Sequence, residues 1–406
     1  MMKLFLSRPA MVSAIGNDLN AHLDVLLNHK ASPISATDSP YAAHGIEGKA
    51  KMLGEVHLNL RAFPAYLPAE HRSRNNQLLW HALEQIEPQI KQAISRFGQQ
   101  RVAVVIGTST TGVDENIPVF KYAAEHNDWS GAPFWQQQQY FSAPADFVAY
   151  QYGVQNASYG ISTACTSGAR ALISAARLLK ANLCDAVICG GVDTLSPLTI
   201  SGFSSLEVLS AQRTNPLSAN RNGINIGEAA AAFVMTRELM DEDAIELLGY
   251  GASSDAYHMS SPHPEGIGAI LAFENALNST ALSTSDIGWI NLHGTGTVHN
   301  DQMETLAVAK VFGNQTACTT TKPYTGHTLG AAGALEAAIL WAVVSRTHNP
   351  QGILPAQLWD GVRDEALPEI LITNANSRWA EGRRIGASSS FAFGGNNAVL
   401  ILGESA

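Results

Sequence analysis

Ser158–Gly191 reads SYGISTACTSGARALISAARLLKANLCDAVICGG, and its three phases decide the fold class. Ser158–Ser162 is a short strand. From about Cys165 to Lys180 the apolar positions Ala169, Leu172, Ala175, Ala176 and Leu179 recur at helical spacing. Asp185–Cys189 (DAVIC) is an apolar run of strand length, closed by Gly190 and Gly191. Continuous apolar strands that alternate with helices belong to sheets covered on both faces.

The same grammar extends outward. Arg101–Gly107 (RVAVVIG) is a buried strand that runs into the loop TSTTG, and Ala229–Thr236 is another. The order then recurs. Ile287–Leu292 is a strand ending at His293, followed by a helix over Asp301–Phe312 and a short strand at Ala317–Thr320. A glycine-rich turn, Gly326–Gly330, opens a long apolar helix to about Ser345. Strands at Ile370–Thr373 and Ile385–Ser389, a tight loop at Phe391–Gly395 and a closing strand at Ala398–Leu402 complete the series. Upstream lie a short first strand, a helix near Asn17–Leu27 and a helix from Asn75 to Phe97. The expectation is an α/β protein of two related halves, residues 1–245 and 246–406, in an internally duplicated, layered body.

Composition narrows the function classes. The 406 residues are 46% hydrophobic and 15% charged, with a formal net charge of −10. No Lys/Arg run offers a nucleic acid a basic face. No stretch approaches the ~20 apolar residues of a spanning helix. The opening MMKLFLSRPAMVSAIG starts like a signal peptide, but Arg8 and Pro9 break the run, so it reads as a strand and loop. Cys165, Cys184, Cys189 and Cys318 have no metal-ligand spacing. Cys184 and Cys189 flank an apolar strand, which suits reduced thiols and a cytoplasmic location.

Four segments could carry chemistry. Cys165, in TACTSG, stands at a helix start, where the positive end of the helix favours a thiolate; the plainer reading is a buried structural cysteine. His293, in HGTGT, follows an apolar strand, in the kind of loop where α/β proteins place their sites; the alternative is a satisfied histidine in a turn. His299 follows six residues later, but no carboxylate cluster at ligand spacing accompanies it, so no metal is expected. Lys322 and His327 lie in KPYTGHTLGAAG. His327 precedes a helix, which favours a neutral imidazole, and Glu336 could pair with Lys322. A helix cap with a surface lysine is the other reading, and the order is wrong for a Walker loop. The compact loop Phe391–Asn397 (FAFGGNN) could aim a backbone N–H at an oxyanion, or be only a β-turn.

Taken in this order, and with Asn222–Glu228 (NGINIGE) and Gly249–His258 (GYGASSDAYH), these motifs resemble the elongating β-ketoacyl-acyl-carrier-protein synthases of the thiolase superfamily. The resemblance covers residues 100–406 well and 1–100 loosely. It implies a thiolase-like α-β-α-β-α body. It also implies decarboxylative condensation of an acyl thioester, held on Cys165, with a malonyl group on an acyl carrier protein bearing phosphopantetheine. On that resemblance the backbone N–H groups of Cys165 and Phe393 form the oxyanion hole. His293 and His327 bind the malonyl thioester carbonyl, while Lys322 and Glu336 hold the electrostatics. Thr295 and Thr297 bind the pantetheine arm. Phe203, Ile224, Thr110 and Phe391 belong to the acyl pocket or its gate. No cofactor is implied. A homodimer is implied, or a heterodimer with a related chain-length-factor subunit. The stretch Trp135–Phe141 would then help wall the partner's pocket.

The sequence departs from the family's pattern at Ala392, usually Gly; at Thr110, often Ile; at Glu207, often an Arg that meets the carrier; and at Asn75, often basic, although Arg72 and Arg74 remain nearby. These departures suggest an aryl-polyene or related polyketide pathway. Three rivals are a non-catalytic chain-length-factor-like subunit, a thiolase, and a structural dimerisation protein with a dead site. The first lacks the nucleophilic cysteine and the second needs another cysteine in the last loop, which here reads Phe393-Gly394-Gly395.

Overall fold

The computed structural model describes residues 2–45, 52–131 and 133–405. Among these residues the apolar strands gather in one sheet of twelve. In spatial order they are Leu371–Ile372, Ala317–Thr319, Trp289–Asn291, Ile385–Phe391, Asn396–Gly403, Ile245–Ser254, Phe5–Leu6, Ala229–Thr236, Ala186–Asp193, Val102–Gly107 and Ser158–Ile161; Ala10–Ser13 also pairs with Ala229–Thr236. The two ends share one pattern. Ser158–Ile161, Val102–Gly107 and Ala186–Asp193 run parallel, and Ala229–Thr236 returns antiparallel. At the other end the strands from Leu371–Ile372 to Ile385–Phe391 run parallel, and Asn396–Gly403 returns antiparallel. Phe5–Leu6 bridges the two ends, pairing with Ala229–Thr236 and with Ile245–Ser254.

Two helices fill the centre. All thirteen residues of Ala332–Val344 are buried, so this helix has no polar face to offer water. With the helix Ser167–Lys180 it shares a core that takes Val105, Val187 and Phe233 from one end of the sheet and Leu400 and Leu402 from the other. The outer faces are covered separately. Leu78, Leu79 and Ile90 pack on Val102, Val104 and Ile188, and Phe273, Ala307 and Val308 on Ile290, Val399 and Ile401. The result is the layered helix–sheet–helix–sheet–helix order.

The central helices touch backbone to backbone. A Cβ on Gly168 would lie 2.6 Å from the Ala334 nitrogen, and one on Gly333 would lie 2.7 Å from the Ala169 nitrogen. Small residues at the first turn of both helices therefore bring their N-terminal ends together. Cys165 precedes one of these ends and His327 the other, so the packing of two helices places two residues 162 positions apart at one point.

Several expectations are corrected. The helix Asn75–Phe97 is two helices, Arg74–Leu83 and Glu87–Phe97, with a 3₁₀ turn at Glu84–Ile86 between them. Pro88 lacks the N–H that would bond the Glu84 carbonyl, so the helix restarts around it. The strand placed at Asp185–Cys189 continues through Gly190 and Gly191, which pair with Ala232 and Ala231, and ends at Asp193. The helix after Cys165 begins at Ser167. The strand Ile245–Ser254 was not foreseen, because Gly249 and Gly251 interrupt its apolar run. A Cβ on Gly251 would fall 2.0 Å from the Ala272 carbonyl oxygen, in the helix Ile267–Asn278 that lies directly over it. Among the described residues, no helix is long and apolar enough to cross a membrane.

Candidate active site

Cys165 sits on a sharp turn. Ala164 has a left-handed backbone, φ 51°, a conformation that disfavours residues other than glycine. Local hydrogen bonds hold the turn: Thr163 N donates to Ser167 Oγ (2.9 Å), Ser167 Oγ to the Ala164 carbonyl (2.6 Å) and Thr166 Oγ1 to the Thr163 carbonyl (2.8 Å). The turn leaves Cys165 at the head of the helix and buried, 6% exposed.

His327 is fixed by backbone pairing. Its N–H donates to the Asn225 carbonyl (2.6 Å), and its carbonyl accepts from Gly227 N (2.9 Å). The NGINIGE segment thus acts as a short ladder against the His327 turn. His293 is held by a carboxylate that the sequence reading missed. Glu304, on the helix Val298–Phe312, accepts from the backbone N–H groups of His293 and Gly294, each at 2.7 Å, and from Ser389 Oγ at 2.8 Å. One turn earlier, Asp301 accepts from Gly296 N (3.1 Å) and Leu217 N (2.8 Å). The legible signal was two acids three apart, Asp301 and Glu304, on a helix that also presents Met303, Ala307 and Val308 to the core.

These elements converge. His327 Nε2 lies 3.0 Å from Cys165 Sγ. The two imidazole rings are 5.2 Å apart and nearly perpendicular. Lys322 Nζ lies 3.3 Å from His293 Nδ1 and is ion-paired with Glu336, both side chains being buried. An ammonium can only donate, so His293 Nδ1 accepts and its proton resides on Nε2. The backbone N–H groups of Cys165 and Phe393 favour the ionised form of this sulfur. Phe391 packs against the His293 ring, with centroids 6.1 Å apart.

Burial dominates the electrostatics. Desolvation, then the Lys322 charge, hold His293 and His327 well below the usual histidine range, so both are neutral at pH 7. Burial also pushes the Cys165 thiol up to about 12, against the opposing pull of Lys322 and the two backbone N–H groups. This corrects the expectation of a thiolate favoured by the helix end: the resting group is a thiol, and desolvation outweighs the local donors. Cys165, His293 and His327 each offer one ligand atom within 4.8 Å of the others. The Lys322 ammonium beside them opposes a cation there.

A cleft of ≈ 680 Å³, part of it open to solvent, leads down to these atoms. Cys165, Phe203, Ile224, His293, Thr295, Thr297, His327, Phe391 and Phe393 all line it. Phe203 faces Phe393, with ring centroids 5.9 Å apart. Thr110 does not line it, against expectation: its N–H and hydroxyl are committed to Asp193 at 2.9 and 2.7 Å. Asn75 is not a rim residue either, being 1% exposed with its amide toward Thr108. Ala392 adopts no left-handed backbone; Gly394 and Gly395 do, at φ 83° and 76°. The loop therefore accommodates alanine without strain.

Comparison with known proteins agrees with this geometry. The profile of the β-ketoacyl synthase N-terminal domain matches residues 74–240, and that of the C-terminal domain residues 244–352. A 3-oxoacyl-[acyl-carrier-protein] synthase 2 of Coxiella burnetii is 31% identical over 76% of this chain and 77% of its own. That of Vibrio cholerae is 30% identical over 74% and 75%. Among solved structures, the complex of a ketosynthase (ApeO) with its chain length factor (ApeC) from Xenorhabdus doucetiae matches with a TM-score of 0.90 and 42% identity, over 100% of this chain and 98% of that one. With a layered body, a cysteine and two histidines meeting at the heads of its central helices, and these relatives, the chain belongs to the β-ketoacyl synthase family, acyltransferases of the thiolase fold that form carbon–carbon bonds in fatty-acid or polyketide synthesis.

Proposed function

We propose that Cys165 carries the acyl chain and that His293 and His327 stabilise the enolate formed from a malonyl thioester. The observation that carries this reading is the contact of His327 Nε2 with Cys165 Sγ at 3.0 Å, beside a second neutral histidine in the same cleft. In the first half-reaction the sulfur attacks the acyl carbonyl, and the N–H groups of Cys165 and Phe393 receive the oxyanion. The thioester C–S bond breaks, and the Cys165 proton leaves with the carrier thiol. In the second, the malonyl group loses CO2 and the electron pair of that bond stays on the α-carbon. His293 and His327 donate to the thioester oxygen, so the enolate forms without a base. The carbanion attacks the acyl carbonyl, Cys165 leaves as thiolate and takes up one proton, and the β-ketoacyl product departs on its carrier.

In this reading Thr295 and Thr297, whose hydroxyls lie 2.9 Å apart on the cleft wall, meet the pantetheine arm. The partner is then an acyl carrier protein. The 42% identity to one chain of a ketosynthase–chain length factor complex supports an aryl-polyene or related polyketide pathway and a dimer with a related subunit. Ser158–Ile161, at one end of the sheet, pairs on one side only among the described residues and offers an edge for such a partner. Intact mass measurement after incubation with acyl-carrier and then malonyl-carrier protein tests the reading. The acyl mass should appear on Cys165 and be discharged by the malonyl donor. A chain acylated elsewhere would refute it.

A further inference from the structure

The cleft must receive its thioester from a carrier, so the surface around its mouth is where the carrier sits; the inference below rests on that proposed function. Three segments frame the mouth. Phe203 and Val208 bound one, Asp255, Ser260 and Pro262 a second, and Thr297 and His299 a third, all in the cleft wall. Each also turns a large apolar side chain outward: Leu206 is 52% exposed, Met259 79% and Val298 51%. Tyr257, 56% exposed, adds to the second. No residue that lines the cleft is Lys or Arg, and none of residues 203–208, 255–262 and 297–300 is.

The charges that are present have the wrong sign for an acidic visitor. Glu207 stands exposed at the end of the helix Pro197–Ser205, with a left-handed backbone, φ 57°. Asp255 is occupied within its own loop, accepting from His263 N at 2.9 Å and from Asn397 Nδ2 at 2.8 Å. The chain as a whole carries −10. These three segments offer no cation to an acidic visitor, whereas removing three exposed apolar side chains from water favours association without any charge.

We propose that the carrier docks through apolar contact with Leu206, Met259 and Val298, and that this docking is independent of salt. The occupant is the carrier surface from which the pantetheine arm emerges, presenting apolar side chains to this rim. A carrier whose contact face is strongly acidic is repelled by Glu207.

Acylation of Cys165 by octanoyl-carrier protein, compared with octanoyl-pantetheine, tests this by intact mass. The carrier-dependent kcat/KM should change less than about twofold between about 50 and about 500 mM NaCl, a range in which the screening length shortens severalfold. Leu206→Ser and Met259→Ser should each cut it about tenfold, as for apolar anchors at an interface, and leave the pantetheine rate within about twofold. Glu207→Arg should leave the carrier rate at low salt within about twofold and introduce no salt dependence, because the face that docks is apolar. A tenfold or larger loss of wild-type rate with salt, or serine variants that act on both donors alike, would overturn the proposal. Acylation by neither donor would overturn the role of Cys165, and this proposal with it.

Discussion

Lys322 Nζ lies 3.3 Å from His293 Nδ1 and is ion-paired with Glu336, so one buried ammonium sets the tautomer of a histidine 29 residues away. Removing it changes three things. His293 is free to take the other tautomer, Glu336 is left as an unpaired buried acid, and the Cys165 thiol loses the Lys322 charge that opposes its rise. Lys322→Met should slow malonyl decarboxylation by about 100-fold, as for the loss of an oxyanion donor. It should also slow alkylation of Cys165 by iodoacetamide at pH 8. Destabilisation by about 3 kcal/mol is expected from the stranded partner. Denaturant unfolding and the two rates, measured on one preparation, check all three.

The two histidines should separate the half-reactions. His327 touches Cys165 Sγ, and His293 reaches the site from beside it. His293→Ala should reduce decarboxylation by about 100-fold and spare acylation, since only the enolate needs its Nε2 proton. His327→Ala should impair both. Single-turnover acylation and CO2 release, followed separately, distinguish this from a general collapse, which would lower both in either variant.

Glu304 makes stability pH-dependent. Burial raises its carboxyl from the usual range to about 7, against the pull of the His293 and Gly294 N–H groups and Ser389. The folded state therefore holds a proton that the unfolded chain has already released, and stability falls as pH rises from about 4.5 to about 7. The shift corresponds to about 3 kcal/mol. His22, His293 and His327, kept neutral by burial, act in the opposite sense, so the difference between proteins is the useful quantity. Glu304→Gln should be less stable than wild type at pH 5 and narrow that gap by pH 8. A constant gap across denaturant titrations at these two pH values would contradict the assignment.

Asp193 ties the active-site turns together. Its carboxylate accepts from Thr108 Oγ1, from the N–H and hydroxyl of Ser109 and Thr110, and from Gly330 N at 2.6 Å. Gly330 lies three residues from His327, and a Cβ there would meet Asp193 Oδ2 at 2.6 Å. Asp193→Asn sets an NH2 against donors and should cost about 3 kcal/mol or more. Ser109→Ala, which removes one hydroxyl donor and keeps the carboxylate, should cost about 1–2 kcal/mol. Equal unfolding midpoints for wild type and Asp193→Asn would show that the clamp does not bear on stability.

The sequence by itself determined the class of protein. Apolar runs broken by helical spacing marked most strands, and TACTSG, HGTGT, KPYTGH and FAFGG marked Cys165, His293, Lys322, His327 and Phe393, because each motif is local and its glycines and small residues report close backbone approach. What only the tertiary structure decided depends on contacts between distant segments and on the exclusion of water. Cys165 rests as a thiol because the packed helices Ser167–Lys180 and Ala332–Val344 remove it from solvent, which no window of sequence around it records. Thr110 turns to Asp193, 83 residues on, and so leaves the cleft wall. Glu304 and Asp301 stand one turn apart beneath the His293 loop, and burial without a cationic partner for Glu304 is a property of the fold, since it requires backbone N–H groups brought in from other elements.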